Sequence, residues 1–314
     1  MEQNKQEKIN KATFEGYLKE NNLEQALTDR GQACIKGNIH IALSSTSSRK
    51  VQVYVCAMTK DGKINKAFEK WSTLLPDKTV SIAGILKENP SLDFDQAKEM
   101  ATKLRVHCQM QEYARMDDNG QEISMATFKT SLGGVTIIDS ADKPFNPRFT
   151  FDADVYLNAI SPFEQAGQQR ARVEGILLEY DGCATKLSFT STPETVDFIL
   201  GNFEKGMTTR ITGDVISIAE RKEKSANVVG FGRKPEPEYE VTFVNELQIC
   251  GGTGIMVDEN SGGFKTEAIK EGLVKRTDKI AQNTQASNTT STKGFATQPT
   301  QSTKKFAFKE GGLW

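Results

Sequence analysis

The sequence predicts a mostly β chain with a few helices (α+β), laid out as two small barrels in tandem followed by a C-terminal helix and a tail. Three observations carry that expectation. Residues 170–218 read as strand, tight turn, strand, helix, strand. The same order of glycine-marked strands recurs in the first half of the chain. From residue 281 the sequence becomes a Gln/Asn/Ser/Thr tract with too little hydrophobic surface to pack.

The central stretch is the clearest. Ala171–Tyr180 and Thr185–Ser191 have strand character and are separated by Asp181-Gly182, a dipeptide suited to a hairpin turn. Thr192-Pro193 supplies an N-cap and a proline for a first helical position. Val196, Ile199, Leu200 and Phe203 then fall at helical spacing until Lys205-Gly206. Arg210–Ile218 is a strand again. Short strands with glycines where the sheet coils are the makings of the small oligonucleotide-binding (OB) barrel.

Two anchors relate this stretch to the first half. Cys34–Ile39 aligns with Arg172–Leu177, setting Gly37 opposite Gly175, and Val80–Leu86 aligns with Thr209–Val215, setting Gly84 opposite Gly213. The expected organisation is an N-terminal arm (1–30, with a short helix over Leu23–Thr28), a first OB-like domain (31–145), a second (146–258), a C-terminal helix (259–280) and a disordered tail with an apolar tip (281–314).

Within the first unit, Ala33–Leu43 and Val51–Met58 alternate as strands, with Ile35, Ile39, Ile41, Val51, Val53 and Val55 inward. Ile64, Phe68, Trp71 and Leu75 mark a core-facing helix, which makes Trp71 a core residue rather than a base-stacking one. Another helix follows Pro90. Leu104–Met116 and Ile123–Ile138 form a hairpin around Asp117–Gly120, and Asp142–Pro147 is the stiff linker. In the second unit Phe149–Leu157 is a strand, Ser161–Gln169 a polar loop, Glu220–Glu238 a long charged loop and Tyr239–Cys250 the last strand. Gly251-Gly252 closes the globular part.

Composition narrows the function. No apolar run reaches the roughly 18 residues of a membrane span and no secretory signal opens the chain, so a cytoplasmic protein without membrane partners is expected. Five scattered cysteines and two histidines (His40, His107) give no disulfide framework, no metal set and no nucleophilic triad. Gly230–Arg233 (G-F-G-R) lacks the spacing of a phosphate loop, and acidic pairs such as Asp117/Asp118 read as solvated edges. An enzyme is therefore not expected, nor is a cofactor. Residues 275–314 hold seven Lys/Arg and two acids; taken from totals of 40 and 41, that leaves 33 basic and 39 acidic residues before them. Such a balance does not fit a duplex-DNA binder, though a groove's field is set locally.

What remains is a binding surface, since single strands are held by cations tracking the backbone and aromatics stacking the bases. The candidate set in the second unit is Arg221, Lys222, Lys224, Phe231, Arg233 and Lys234. In the first it is Lys36, Tyr54, Arg105, Tyr113 and Arg115. The tail ends in Phe306, Phe308, Leu313 and Trp314, a candidate partner-binding tip.

The motif around Gly175 and Gly213, the G-F-G-R loop, Val244–Gly252 (V-N-E-L-Q-I-C-G-G) and the tethered tip together resemble phage-type single-stranded DNA-binding proteins. The resemblance covers residues 31–280 and implies sequence-tolerant binding of single-stranded DNA. It also implies recruitment of replication or recombination proteins through the tail, in the cytoplasm of a phage-infected or prophage-carrying bacterium. One departure stands out: the tips of bacterial single-stranded DNA-binding proteins are acidic, whereas this one carries Lys304, Lys305 and Lys309 beside Glu310. The competing expectation is a protein-interaction or virion-assembly module that binds no nucleic acid.

Overall fold

The computed structural model describes residues 8–59, 61–130, 134–139, 144–223 and 239–292, without the side chains of 220–223, 239–241 and 287–292. Its strands are β1 (Asn10–Leu27), β2 (Ala33–Ala42), β3 (Ser48–Cys56), β4 (Lys103–Met116), β5 (Glu122–Thr130), β6 (Val135–Ile137), β7 (Arg148–Gln165), β8 (Gln168–Leu178), β9 (Ala184–Ser191), β10 (Thr208–Glu223) and β11 (Tyr239–Val257). The helices are α1 (Lys66–Ser72), α2 (Ile82–Glu88), α3 (Phe94–Met100), α4 (Val196–Asn202) and α5 (Thr266–Thr292).

All eleven strands belong to one sheet, and its hydrogen bonding closes on itself twice. In the first ring β1 pairs with β2, β2 with β3, β3 in parallel with β5, β5 with β4, and β4 with β1. The second repeats that order with β7, β8, β9, β11 and β10, again with one parallel pair, β9–β11. Short helices lie between the third and fourth strands of each ring, α1, α2 and α3 in the first and α4 in the second. α1 puts Trp71 into the core with no exposed surface, and α4 buries Val196 and Ile199.

The rings are fused through their first strands. Asn10–Glu15 of β1 pairs antiparallel with Arg148–Ala153 of β7. One hydrophobic core runs through both, and the Phe14 ring meets Phe149 edge-on at 4.9 Å between centroids. Other contacts are reciprocal. From the second ring, Ala219 N of β10 donates to Thr46 O (2.7 Å) and Ser217 Oγ to Ser48 O (2.8 Å). From the first, Glu112 of β4 accepts from the Lys186 amide of β9 (3.0 Å).

Several expectations are corrected. Residues 10–27 are a strand, not an arm with a helix at Leu23–Thr28: Ala12, Phe14 and Leu18 go into the core, and ladder bonds to β2 outweigh weak local helix signals. Val80–Leu86 is not a strand equivalent to Thr209–Val215. Ser81 caps α2 by accepting from the Gly84 amide at 3.1 Å, so Gly84 has no likeness to Gly213. The match of Gly37 with Gly175 does place both on second strands.

Ser161–Gln169 is not a loop but the tip of the β7–β8 hairpin, turned by Ala166-Gly167 in left-handed conformation. The helix before β10 has Thr195 rather than Thr192 at its N-cap position, and the Thr195 side chain donates to Ile249 O instead of capping the helix. Ile64 precedes α1 and is 73% exposed instead of lying on the core stripe. Gly251-Gly252 does not end the folded part, because β11 runs on to Val257. A Cβ on Gly252 would sit 2.3 Å from Arg210 O, so the glycine permits close approach of β10. Finally, α5 continues past Ile280 to Thr292, because Asn283 Nδ2 donates to Ala114 O (2.9 Å) and Thr284 Oγ1 accepts from the Met116 amide (2.9 Å).

Candidate nucleic-acid interface

Alternation in β2 and β3 sends every second side chain out of the first ring. Register then sets Lys36 opposite Tyr54, Asn38 opposite Gln52, and His40 opposite Lys50. The parallel pairing of β3 with β5 aligns Gln52 with Lys129, and Lys129 faces Gln109 on β4. Asn38, Gln52, Lys129 and Gln109 thus form one outward row across four strands, spanning about 14 Å at the usual strand spacing. It holds amides and a cation and no carboxylate.

Tyr54 is 44% exposed beside this row. Lys36 is held by Glu24 at 3.2 Å, an exposed pair of little energetic weight. Burial pushes the His40 imidazole below its usual pKa against the opposing pull of Glu20, so it adds no charge at neutral pH. The cations of the face include Lys36, Lys50 and Lys129, and β1 adds Glu20 opposite His40 and Glu24 opposite Lys36.

Further along β4 and β5, Tyr113 lies opposite Met125 and Arg115 opposite Ile123, extending the surface toward the hairpin tip. Arg115 Nη1 donates to Met116 O at 3.2 Å. Arg105 belongs elsewhere. It lies on β4 four residues before Gln109 of the row, about 13 Å along an extended strand, and eight before Tyr113; there Nε donates to Glu15 Oε2 (2.6 Å) and Nη2 to Pro144 O (3.2 Å). Burial works to raise the Glu15 pKa, but the hydrogen bonds from Arg105 and the Asn146 amide outweigh it and the net shift is downward. Arg105 is a brace for the segment that leads into β7.

One end of the equivalent face of the second ring is covered, while Arg172 and Ser188 on the same face stay exposed. Ile176 and Ala184, which point outward from β8 and β9, pack with Phe264 and Ile269 beneath α5. Beside them Lys186 is paired with Glu174 at 3.3 Å. Between the rings lies a cleft of about 510 Å³, lined by Arg49 and Lys186 but also by Glu112, Glu122, Glu174 and Glu246. Its balance of charge disfavours a phosphate chain. The β10–β11 ribbon rises beside the β2–β3 turn and leaves Phe243 69% exposed.

The sequence singled out Lys36 and Tyr54, which are adjacent, and Tyr113 and Arg115, which share the β4–β5 hairpin. Arg221 and Lys222 have their backbones on the ribbon, opposite Val241 and Glu240; their side chains, and Lys224, Phe231, Arg233 and Lys234 altogether, lie outside the described residues, as do Phe306, Phe308, Leu313 and Trp314. Lys50, Gln52 and Lys129 were missed. The alternation that turns Val51 and Val53 inward already turns Lys50 and Gln52 outward, whereas Lys129 joins them only through the non-local β3–β5 pairing.

The fold superposes on the wild-type single-stranded DNA binding protein from Thermus aquaticus with a TM-score of 0.41 and 10% identity, over 82% of this chain and 97% of that one. A deletion mutant of the same protein gives a TM-score of 0.42 and 10% identity, over 83% and 98%. Similarity at that level carries no argument about function. Among curated proteins none matches the sequence. A family model described as YorF matches residues 8–286, most of the chain, and the protein belongs to that family.

Proposed function

We propose that this protein binds single-stranded DNA without catalysing a reaction, and that the outer face of the first ring is its principal binding surface. The observation that carries the reading is strand order. Each ring runs first, second, third, fifth, fourth and back to first, with one parallel pair and a helix between the third and fourth strands. That is the plan of an OB barrel, whose second and third strands and flanking loops take oligonucleotides. On this reading there are two OB-like units in tandem, the first starting at β1 and the second at β7. Lys36, Lys50 and Lys129 track phosphates while Tyr54, and further along Tyr113, stack bases. Because α5 covers one end of the second ring's face, the second unit contributes through Arg221 and Lys222, whose backbones lie on the ribbon, together with the sequence candidates Lys224, Phe231, Arg233 and Lys234.

The tail's Phe306, Phe308, Leu313 and Trp314 are assigned to recruitment of replication or recombination proteins, in the phage-bearing bacterial cytoplasm that the sequence resemblance implies. The excess of acidic over basic residues before residue 275 favours the second reading, a docking module that binds no nucleic acid. Photo-crosslinking with a 5-iododeoxyuridine-substituted single strand, followed by peptide mapping, separates them. Adducts on the peptide holding Tyr54 are expected. Adducts confined to residues 293–314 would remove the ring face as the site, and no adducts at all would leave the docking module.

A further inference from the structure

Cys34 and Cys56 stand directly opposite one another on β2 and β3. The next rung outward is hydrogen-bonded, Ala57 N donating to Ala33 O at 2.8 Å. Cys34/Cys56 is therefore a non-hydrogen-bonded pair, in which Cα atoms lie about 4.5 Å apart and side chains are at their closest. That separation falls within the range of about 4.4–6.8 Å that a disulfide spans. No other two cysteines share a rung among the described residues. The two thiols also differ in access: Cys34 is 1% exposed and Cys56 is half-buried. Burial, then the proximity of Cys56, pushes the Cys34 thiol up, so Cys56 is the one that reacts first.

We propose that Cys34 and Cys56 form a reversible dithiol–disulfide pair that responds to low-molecular-weight disulfides. The Cys56 thiolate attacks the small disulfide, forming a mixed disulfide and releasing one small thiol. The Cys34 thiolate then attacks Cys56 Sγ and expels the second. Two protein thiols are oxidised, one small disulfide is reduced to two thiols, and an added dithiol runs the exchange backward. The pair adjoins the Lys36–Tyr54 rung, two residues along each strand on the same face. Oxidation ties the two strands together at the end of β2–β3. A resulting change in DNA affinity rests on the reading of this face given above.

The test takes the full chain through incubation with oxidised glutathione, alkylation of the remaining thiols and peptide mapping without reduction. A linked peptide pair holding Cys34 and Cys56 is expected, absent after dithiothreitol and absent from Cys56→Ser. Alkylation of both residues after oxidation, or linkage of either to a different cysteine or a second chain, would overturn the pair. Oligo-dT anisotropy on the same samples reads the consequence. A shift in Kd between linked and reduced protein is expected, and equal Kd values would overturn the coupling but not the pair. Failure of the reduced protein to bind would overturn the DNA reading alone.

Discussion

Tyr54 and the lysines around it are where base contact and phosphate contact separate experimentally. Tyr54→Ala should weaken single-strand binding by about 1–3 kcal/mol, the usual cost of losing one stacking platform, while Tyr54→Phe keeps most of it. Lys50→Ala and Lys129→Ala should instead flatten the dependence of log K on log salt by about 0.7 for each phosphate no longer neutralised. Titrations of each variant at several salt concentrations check both. If Tyr54→Ala changed only the salt slope, stacking would be the wrong role. A different residue governs stability. Arg276 of α5 donates to Glu112 through Nε (2.7 Å) and Nη2 (2.6 Å) and also binds Glu122, with both members of the main pair largely buried. Burial works to raise the Glu112 pKa, but the hydrogen bonds from Arg276, Ser124 and the Lys186 amide leave it below the usual carboxylate value of 4.5. A depressed folded pKa means stabilisation that is complete above the unfolded pKa and lost as pH falls through the folded one. Arg276→Ala should therefore cost about 3–5 kcal/mol near neutrality. The gap between variant and wild type should shrink below about pH 4.5 as Glu112 takes up a proton in both. Denaturation curves from pH 7 to 3 measure it, and a gap that stayed constant would show that the pair is not what α5 contributes.

Elements built on strong local pattern were legible, and those decided by distant partners were not. Alternation located β2 and β3, and Asp181-Gly182 and Asp117–Gly120 located two hairpins, because their physics lies within a few residues. β1 was not legible, since Lys19–Gln25 is polar apart from the buried Leu23 and only pairing with β2 makes it a strand. The polar Gln/Asn/Ser/Thr composition from residue 281 predicts an end to α5 at Ile280; Asn283 and Thr284 instead anchor the helix on β4. The site divided the same way. Tyr54 and Lys36 followed from parity along their strands, whereas Lys129 and the covering of one end of the second ring's face by α5 depend on contacts across the chain. Gly37 makes the matching prediction for packing. Its φ is +130° and a Cβ there would sit 2.1 Å from Asn22 O, so Gly37→Ala forces β1 and β2 apart. A loss of about 1–3 kcal/mol or more is expected by chemical denaturation, and a variant as stable as wild type would show that the close approach of β1 and β2 at this rung is not needed.

At the scale of the whole molecule, the β1–β7 pairing and the shared core predict that the two rings unfold together. Trp71, buried in the first ring, should then report the same thermal midpoint as far-ultraviolet circular dichroism of the entire chain, measured in a Trp314→Phe background. Two separated transitions would mean that the rings fold independently. Among the described residues α5 covers one end of the second ring's face and leaves the first ring's face open, which is why the binding claim centres on the first ring. Its most direct test is fluorescence anisotropy with a labelled oligo-dT of about 30 nucleotides at two salt concentrations. Three proteins are compared: the full chain, a chain ending at Thr292, and the full chain carrying Lys50→Ala, Tyr54→Ala and Lys129→Ala together. The account predicts salt-sensitive binding by the first two and a loss of at least tenfold in the third. Undiminished binding by the triple variant, or binding lost only with residues 293–314, would contradict it.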